Sequence, residues 1–200
     1  MINVYLVEDQ GLVRGAVAAL LSLDISIEVV GQATNGQTAL QEITELKPDI
    51  VLTDIEMPIM TGIELAERLK TDFSDIKVVI MTTFSRAGYI RRSMAAGVKG
   101  FVLKEAPSES LIATLKKVMA GQKVIDTELA LNALEDNDPL SDKERKALQL
   151  AGEGLKTADI ASTLFLSEGT VRNYLSEAIA KLNASNRVDA ARIAKQKGWL

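Results

Sequence analysis

The sequence predicts a doubly wound α/β domain on a parallel five-stranded sheet, followed by a smaller all-α domain. Three observations carry this. Over residues 1–121, short β-branched runs alternate with helical patterns, the signature of a parallel sheet covered on both faces. An acidic stretch, 122–138, then interrupts the pattern. From Ser141 onward every periodic segment is helical.

Strands are expected at 2–7, 27–31, 50–54, 77–82 and 99–103, where apolar and β-branched residues cluster. Helices are expected near 11–22, 36–46, 61–71, 86–96 and 108–120. Punctuation agrees: Pro48 follows one helix, Gly97 ends another and Gly121 closes the last. Ser108 precedes Glu109 to Leu115 as an N-cap would. The acidic segment reads as a linker with one helical stretch, Glu128 to Leu134. Four further helices should cover about 141–152, 156–163, 167–182 and 186–197. Ser141 with Glu144 forms a capping box and Ser167 is another N-cap. Three parts are therefore expected: a domain over 1–121, a linker over 122–138 and a helical domain over 139–200.

The chain has 200 residues with no Cys and no His. Histidine catalysis and histidine metal ligands are excluded, and any phosphohistidine involved must belong to another protein. No disulfide framework exists, which fits a reducing, cytoplasmic location. The N-terminus lacks the basic flank of a signal peptide, and no apolar run reaches membrane-spanning length, so membrane insertion is not expected. Net charge is −4 overall but unevenly placed: −2 over 1–123, −5 over 124–138 and +3 over 139–200. The mildly basic last segment permits phosphate contacts.

Four predicted strands finish in chemically distinct groups. The first ends in Glu8-Asp9, the third in Asp54, the fourth in Thr82-Thr83 and the fifth in Lys104. In a parallel sheet these emerge at one edge, where ligands bind in doubly wound folds. Three carboxylates converging there repel one another unless a cation sits among them, and hard oxygen ligands favour Mg²⁺. A nucleophilic aspartate among carboxylates, a hydroxyl and a lysine makes a metal-assisted phosphoryl-acceptor site. Simpler readings compete: a strand-end turn for one aspartate, a solvated Lys104, core packing for Phe101, and Thr83 rather than Thr82 as the working hydroxyl.

Glu8-Asp9, Asp54 with Met57-Pro58 and Gly62, Thr82, Phe101 and Lys104 together resemble a response-regulator receiver domain of flavodoxin/CheY-like fold. The resemblance implies that Asp54 accepts phosphoryl from a sensor histidine kinase. It implies Mg²⁺ held by Asp9, Asp54 and the Glu56 backbone carbonyl, with Glu8 acting mostly through water. Lys104 would pair with the phosphoryl group or Asp54. Thr82 would turn inward to a phosphoryl oxygen, and Phe101 would follow into the vacated space. The family often has Tyr at the place of Phe101, so a hydroxyl-dependent switch is not open to this chain.

Farther on, Lys156-Thr157-Ala158-Asp159-Ile160-Ala161 and Leu166-Ser167-Glu168-Gly169-Thr170-Val171-Arg172-Asn173-Tyr174 read as two helices joined by a tight turn, a helix-turn-helix. Ile160, Ala161, Leu164, Leu166, Val171, Leu175 and Ile179 should bury one face. This part resembles the LuxR-type DNA-binding domain, and the whole chain resembles the NarL/FixJ class of response regulators. Double-stranded DNA and a phosphorylation-dependent homodimer are the implied partners, with RNA polymerase a further one. The helix over 167–182 would read DNA. Arg172 and Asn173 would reach base edges, with Ser176 on the same helix. Lys156, Thr157, Ser167, Thr170 and Lys181 would contact phosphates. The family commonly has Lys at the place of Arg172 and His at that of Tyr174. Several short stretches, Gly88-Tyr89 and Lys197-Gly198-Trp199 among them, are similar to the DesR-like branch, whose members respond to membrane state through a multi-pass kinase.

Two helical surfaces are expected to pair copies: helices 11–22 with 108–120, and the last helix around Val188, Ala191, Arg192 and Lys195. Two rival readings remain open. A metal-dependent phosphohydrolase would use Asp54 as nucleophile, although Glu56 stands where such enzymes often carry a second aspartate. A helical interaction module with no nucleic-acid role would explain the C-terminal segment.

Overall fold

The computed structural model describes residues 1–83, 87–125 and 138–200. These fall into two compact units, one α/β and one helical. Among the described residues, no helix is long and apolar enough to cross a membrane.

In the α/β unit, β1 (Ile2–Val7), β2 (Ile27–Ala33), β3 (Ile50–Thr53), β4 (Lys77–Thr82) and β5 (Gly100–Leu103) form one parallel sheet in the order β2-β1-β3-β4-β5. Helices α1 (Gly11–Leu21), α2 (Gly36–Leu46), α3 (Gly62–Asp72), α4 (Ala87–Ala95) and α5 (Ser108–Met119) follow the strands in turn. Central strands of such a sheet are covered on both faces, so β1, β3 and β4 read as near-continuous apolar runs. Val4 and Leu6 of β1 pack with Val17 and Leu21 of α1 and with Leu111, Leu115 and Val118 of α5. Tyr5 points to the opposite face, where its hydroxyl donates to Glu42 of α2 at 2.6 Å. Burial of each large apolar side chain in these layers contributes about 1.5–3 kcal/mol.

The expected boundaries hold within two residues, and three details differ. Ser108 does not cap α5. It is the first helical residue, and the preceding Pro107 occupies the cap with no side-chain bond. The Pro107 carbonyl accepts from the Ser110 N–H instead. The second strand runs on to Ala33 because the chain stays paired with β1 up to Val7. Val124, expected in the linker, pairs beside β5: its carbonyl accepts from the Phe101 N–H and its own N–H donates to Lys99, both at 2.9 Å. The helical stretch expected over Glu128 to Leu134 lies outside the described residues.

The helical unit contains α6 (Asp142–Gly152), α7 (Thr157–Leu164), α8 (Glu168–Lys181) and α9 (Arg187–Lys197). The capping box at α6 is present in both directions between Ser141 and Glu144. Ser167 caps α8 by accepting from the Thr170 N–H. Ile160, Ala161, Val171 and Leu175 are buried in one core, with Leu164, Leu166 and Ile179 packed against it. Arg145 closes the unit: it forms an ion pair with Asp138 at 2.7 Å and donates to the Leu140 and Trp199 carbonyls. Ala191, expected on an outward pairing face, is part of this core. Its Cβ lies where α6 approaches closely, since a Cβ on Gly152 would come within 2.9 Å of it. Val188, Arg192 and Lys195 remain exposed.

Candidate metal centre and nucleic-acid interface

The strand order reverses direction beside β1, and the register Val7↔Thr53 sets the ends of β1 and β3 side by side. The Asp54 N–H donates to the Val7 carbonyl at 3.0 Å. Glu8 and Asp54 are therefore buried at one sheet edge, while Asp9 is exposed. One carboxylate oxygen from each of Glu8, Asp9 and Asp54 lies within 4.8 Å of the others. This is the crevice at the carboxyl ends of the strands where open α/β sheets take their ligands.

Lys104 reaches this cluster from the end of β5. Its ammonium lies 2.8 Å from Asp54 Oδ2 and 2.7 Å from Glu8 Oε2. The other Asp54 oxygen accepts from the Ile55 N–H at 2.7 Å. Burial pushes the Glu8 carboxyl up and the neighbouring Asp54 adds to that, with Lys104 opposing, so the net direction is upward. For Lys104 burial works against the charge, but Asp54 and Glu8 outweigh it and raise its pKa. Two buried carboxylates share one ammonium, so the site carries negative charge that invites a cation.

The surrounding backbone is built around Asp54. Gly62, the first residue of α3, approaches it so closely that a Cβ would lie 1.9 Å from the Asp54 carbonyl oxygen. Only glycine fits there. Thr82 is fully buried at the end of β4, and its carbonyl accepts from the Lys104 N–H at 2.9 Å. Thr83 is exposed. Phe101 is buried in β5 opposite Ile80. Glu56 sits two residues after Asp54, and its carboxylate accepts from the Tyr89 hydroxyl at 2.6 Å.

Two residues at this site had no signal in the sequence. Tyr89 lies 33 positions from its partner Glu56. Arg14 of α1 donates to the Glu8 carbonyl at 2.7 Å and so ties the loop carrying Glu8 and Asp9. A helical spacing alone does not reveal that an arginine turns back to its own loop.

In the helical unit, Arg172, Asn173 and Ser176 are exposed on α8. The Arg172 guanidinium is 3.0 Å from Glu168 one turn earlier. Ser167 and Thr170 hydroxyls are 2.9 Å apart at the N-terminus of the same helix. Lys156 and Thr157 open α7, whose first turn has no side-chain cap. Lys181, expected among the phosphate contacts, bonds both oxygens of buried Glu144 at 2.7 and 2.8 Å.

Comparison with known proteins agrees with both halves. The response regulator receiver domain family matches residues 4–116, and the family of bacterial regulatory proteins of the luxR type matches residues 138–194. YvfU of Bacillus subtilis, an uncharacterized transcriptional regulatory protein, is 44% identical over 200 residues, spanning 100% of both chains. The transcriptional regulatory protein DesR of the same organism is 42% identical over 199 residues, spanning 100% of this chain and 99% of DesR. The crystal structure of ChrA, a response regulator of a heme-sensing two-component system, superposes with a TM-score of 0.58 at 30% identity, covering 100% of this chain and 98% of ChrA. The chain therefore belongs to the response regulators of two-component systems, in the class that joins a receiver domain to a LuxR-type DNA-binding domain and controls transcription.

Proposed function

We propose that Asp54 is the phosphoacceptor of a Mg²⁺-dependent receiver, and that its phosphorylation by a histidine kinase promotes dimerisation and sequence-specific DNA binding. One observation carries the reading: the Lys104 ammonium bridges Asp54 and Glu8 while Asp9 completes an all-oxygen cluster beside them. Receiver domains bind Mg²⁺ at an acidic pocket of this kind. The hard carboxylate donors fit that ion. Asp9, Asp54 and the Glu56 carbonyl would hold it, with Glu8 acting through water. When bound, the ion neutralises phosphoryl oxygens during transfer.

The chain's own groups account for the rest. An Asp54 carboxylate oxygen attacks the phosphorus of a phosphohistidine. The P–N bond breaks, and its electron pair leaves with the imidazole. Lys104, already within 2.8 Å of Asp54, shifts to the incoming phosphoryl oxygens. An ammonium already held at the site neutralises the negative charge of those oxygens after only a short movement. Thr82 supplies a hydroxyl to a second oxygen, and Phe101 follows it as the switch residue.

The added charge biases two pre-existing states, one of them dimer-competent. The pairing surface is α1 with α5. Leu12 on α1 is 88% exposed, and α5 stands on the same side of the sheet, tied by Lys116 to Asp24 at 2.6 Å. In the DNA-binding domain, over 139–200, α8 enters the major groove with Arg172 and Asn173 at base edges and Ser176 beside them. Lys156, Thr157, Ser167 and Thr170 hold phosphates. Lys181 would join them from the far end of the helix while paired with Glu144. The receiver would span 1–121 with the pairing at Val124 added to its edge, and the rest of 122–138 would be the acidic linker.

Light scattering with Mg²⁺ and a small phosphodonor tests this, on wild type and Asp54→Ala. A monomer-to-dimer shift in wild type alone is expected. A shift in both, or phosphoryl found on another residue, would overturn the assignment of Asp54.

A further inference from the structure

We propose that Phe165 is a DNA-backbone contact whose ring packs on the apolar face of a deoxyribose beside the groove that α8 enters. The inference rests on the DNA-binding reading above and extends it to a residue with no polar group to offer.

Three observations point there. Phe165 has a left-handed backbone, φ 56° and ψ 45°, at the end of α7. Glycine occupies this conformation with no Cβ to clash and asparagine offsets the cost through local side-chain hydrogen bonds, whereas phenylalanine does neither. The side chain is also 95% exposed. Leu164 and Leu166 on either side pack against the core, and the turn is closed through the Leu166 N–H to the Ala161 carbonyl at 2.9 Å. The fold thus gains nothing from the ring: the flanking leucines hold the turn while Phe165 is strained and wet.

A bulky residue held in a sparsely populated backbone conformation, with no packing to repay it, marks a candidate functional position. Its place says which function. Phe165 stands two residues before Ser167, the cap of α8, and so at the mouth of the turn from which that helix starts. In helix-turn-helix docking the recognition helix leads into the groove from its N-terminal end, which brings this turn to the groove edge, where the sugar-phosphate backbone runs. Ser167 and Thr170 offer hydroxyls to phosphates there. An aromatic ring offers apolar surface to the sugar between them.

The test uses the full chain, treated with Mg²⁺ and a small phosphodonor, and a short mixed-sequence DNA duplex followed by fluorescence anisotropy over a salt series. Phe165→Asn is expected to weaken binding by roughly fivefold, as part of a ring stays in water. The slope of log affinity against log salt is expected to stay unchanged, because no charge is removed. The melting temperature is expected to hold or rise, since asparagine tolerates the left-handed turn. Phe165→Tyr should bind within about twofold of wild type, keeping the ring's apolar face. Equal affinity of wild type and Phe165→Asn would overturn the inference, and would point to a protein partner for the ring. A fall in affinity accompanied by a lower melting temperature would also overturn it, showing a structural role. Wild type that binds no duplex would refute the DNA-binding reading itself and this inference with it.

Discussion

Lys181 closes over Glu144 with its ammonium 2.7 and 2.8 Å from the two carboxylate oxygens, joining the last turn of α8 to the first turn of α6. Glu144 also receives the Ser141 N–H at 2.8 Å. One carboxylate thus caps a helix and pins a second helix across the core.

This pair sets the acid limit of the helical unit. Burial raises the Glu144 carboxyl, but Lys181 and the Ser141 N–H outweigh it and hold it below its ordinary value of 4.5. A lowered folded pKa means that the stabilisation is complete above the unfolded value and is lost as pH falls through the folded one. Circular dichroism melts across pH should show wild type losing stability below about pH 4.5. Glu144→Gln should lower the melting temperature at neutral pH and flatten that acid decline. Lys181→Met should cost about 2 kcal/mol at neutral pH, less than a fully buried pair because Lys181 is partly exposed.

Gly62→Ala should be among the most damaging single changes in the α/β unit. The added methyl would meet the Asp54 carbonyl at 1.9 Å, and that atom belongs to a backbone that cannot yield without moving Asp54. A loss of about 3 kcal/mol or more in urea unfolding is expected, with phosphoryl uptake falling in whatever fraction folds.

Lys104→Met should leave Glu8 and Asp54 as two buried carboxylates with no ammonium between them. In a chelating buffer the melting temperature should fall, by an amount corresponding to about 2–4 kcal/mol. Added Mg²⁺ should restore more stability to this variant than to wild type, because the ion then has no competing cation. Equal Mg²⁺ stabilisation of the two proteins would argue against an ion at this cluster.

On DNA, Arg172→Ala and Lys156→Ala should fail differently. Loss of a base-edge contact should cost about 1–3 kcal/mol on a specific site and little on mixed sequence. Loss of a phosphate contact should weaken both alike and reduce the salt slope by about one. A binding titration on two duplexes at several salt concentrations separates them.

Much of the candidate site could be read in the sequence because parallel strands deliver their last residues to one edge. Glu8, Asp54, Thr82 and Lys104 each follow an apolar run, so the fold class alone brought them together. What could not be read depends on distance across the chain or on competition at a single residue. Tyr89 and Glu56 share no local pattern. Ser108 carries the chemistry of a cap, but Pro107 already terminates the loop and the helix starts a residue earlier than a serine cap requires. An alanine suits either side of a helix, so the sequence does not place Ala191 in the core; the close approach of Gly152 does. The Lys181–Glu144 pair spans 37 residues and leaves no local pattern either.

Lys104 and Asp54 are 50 residues apart, and the amine arrives on the last strand of the sheet. A chain still being synthesised presents the aspartate long before it presents the lysine. Fragments, stalled products and chains with β5 undocked would carry Asp54 without its partner. The Lys104–Asp54 contact therefore exists only in a chain whose fifth strand has docked, and it reports that the sheet is closed.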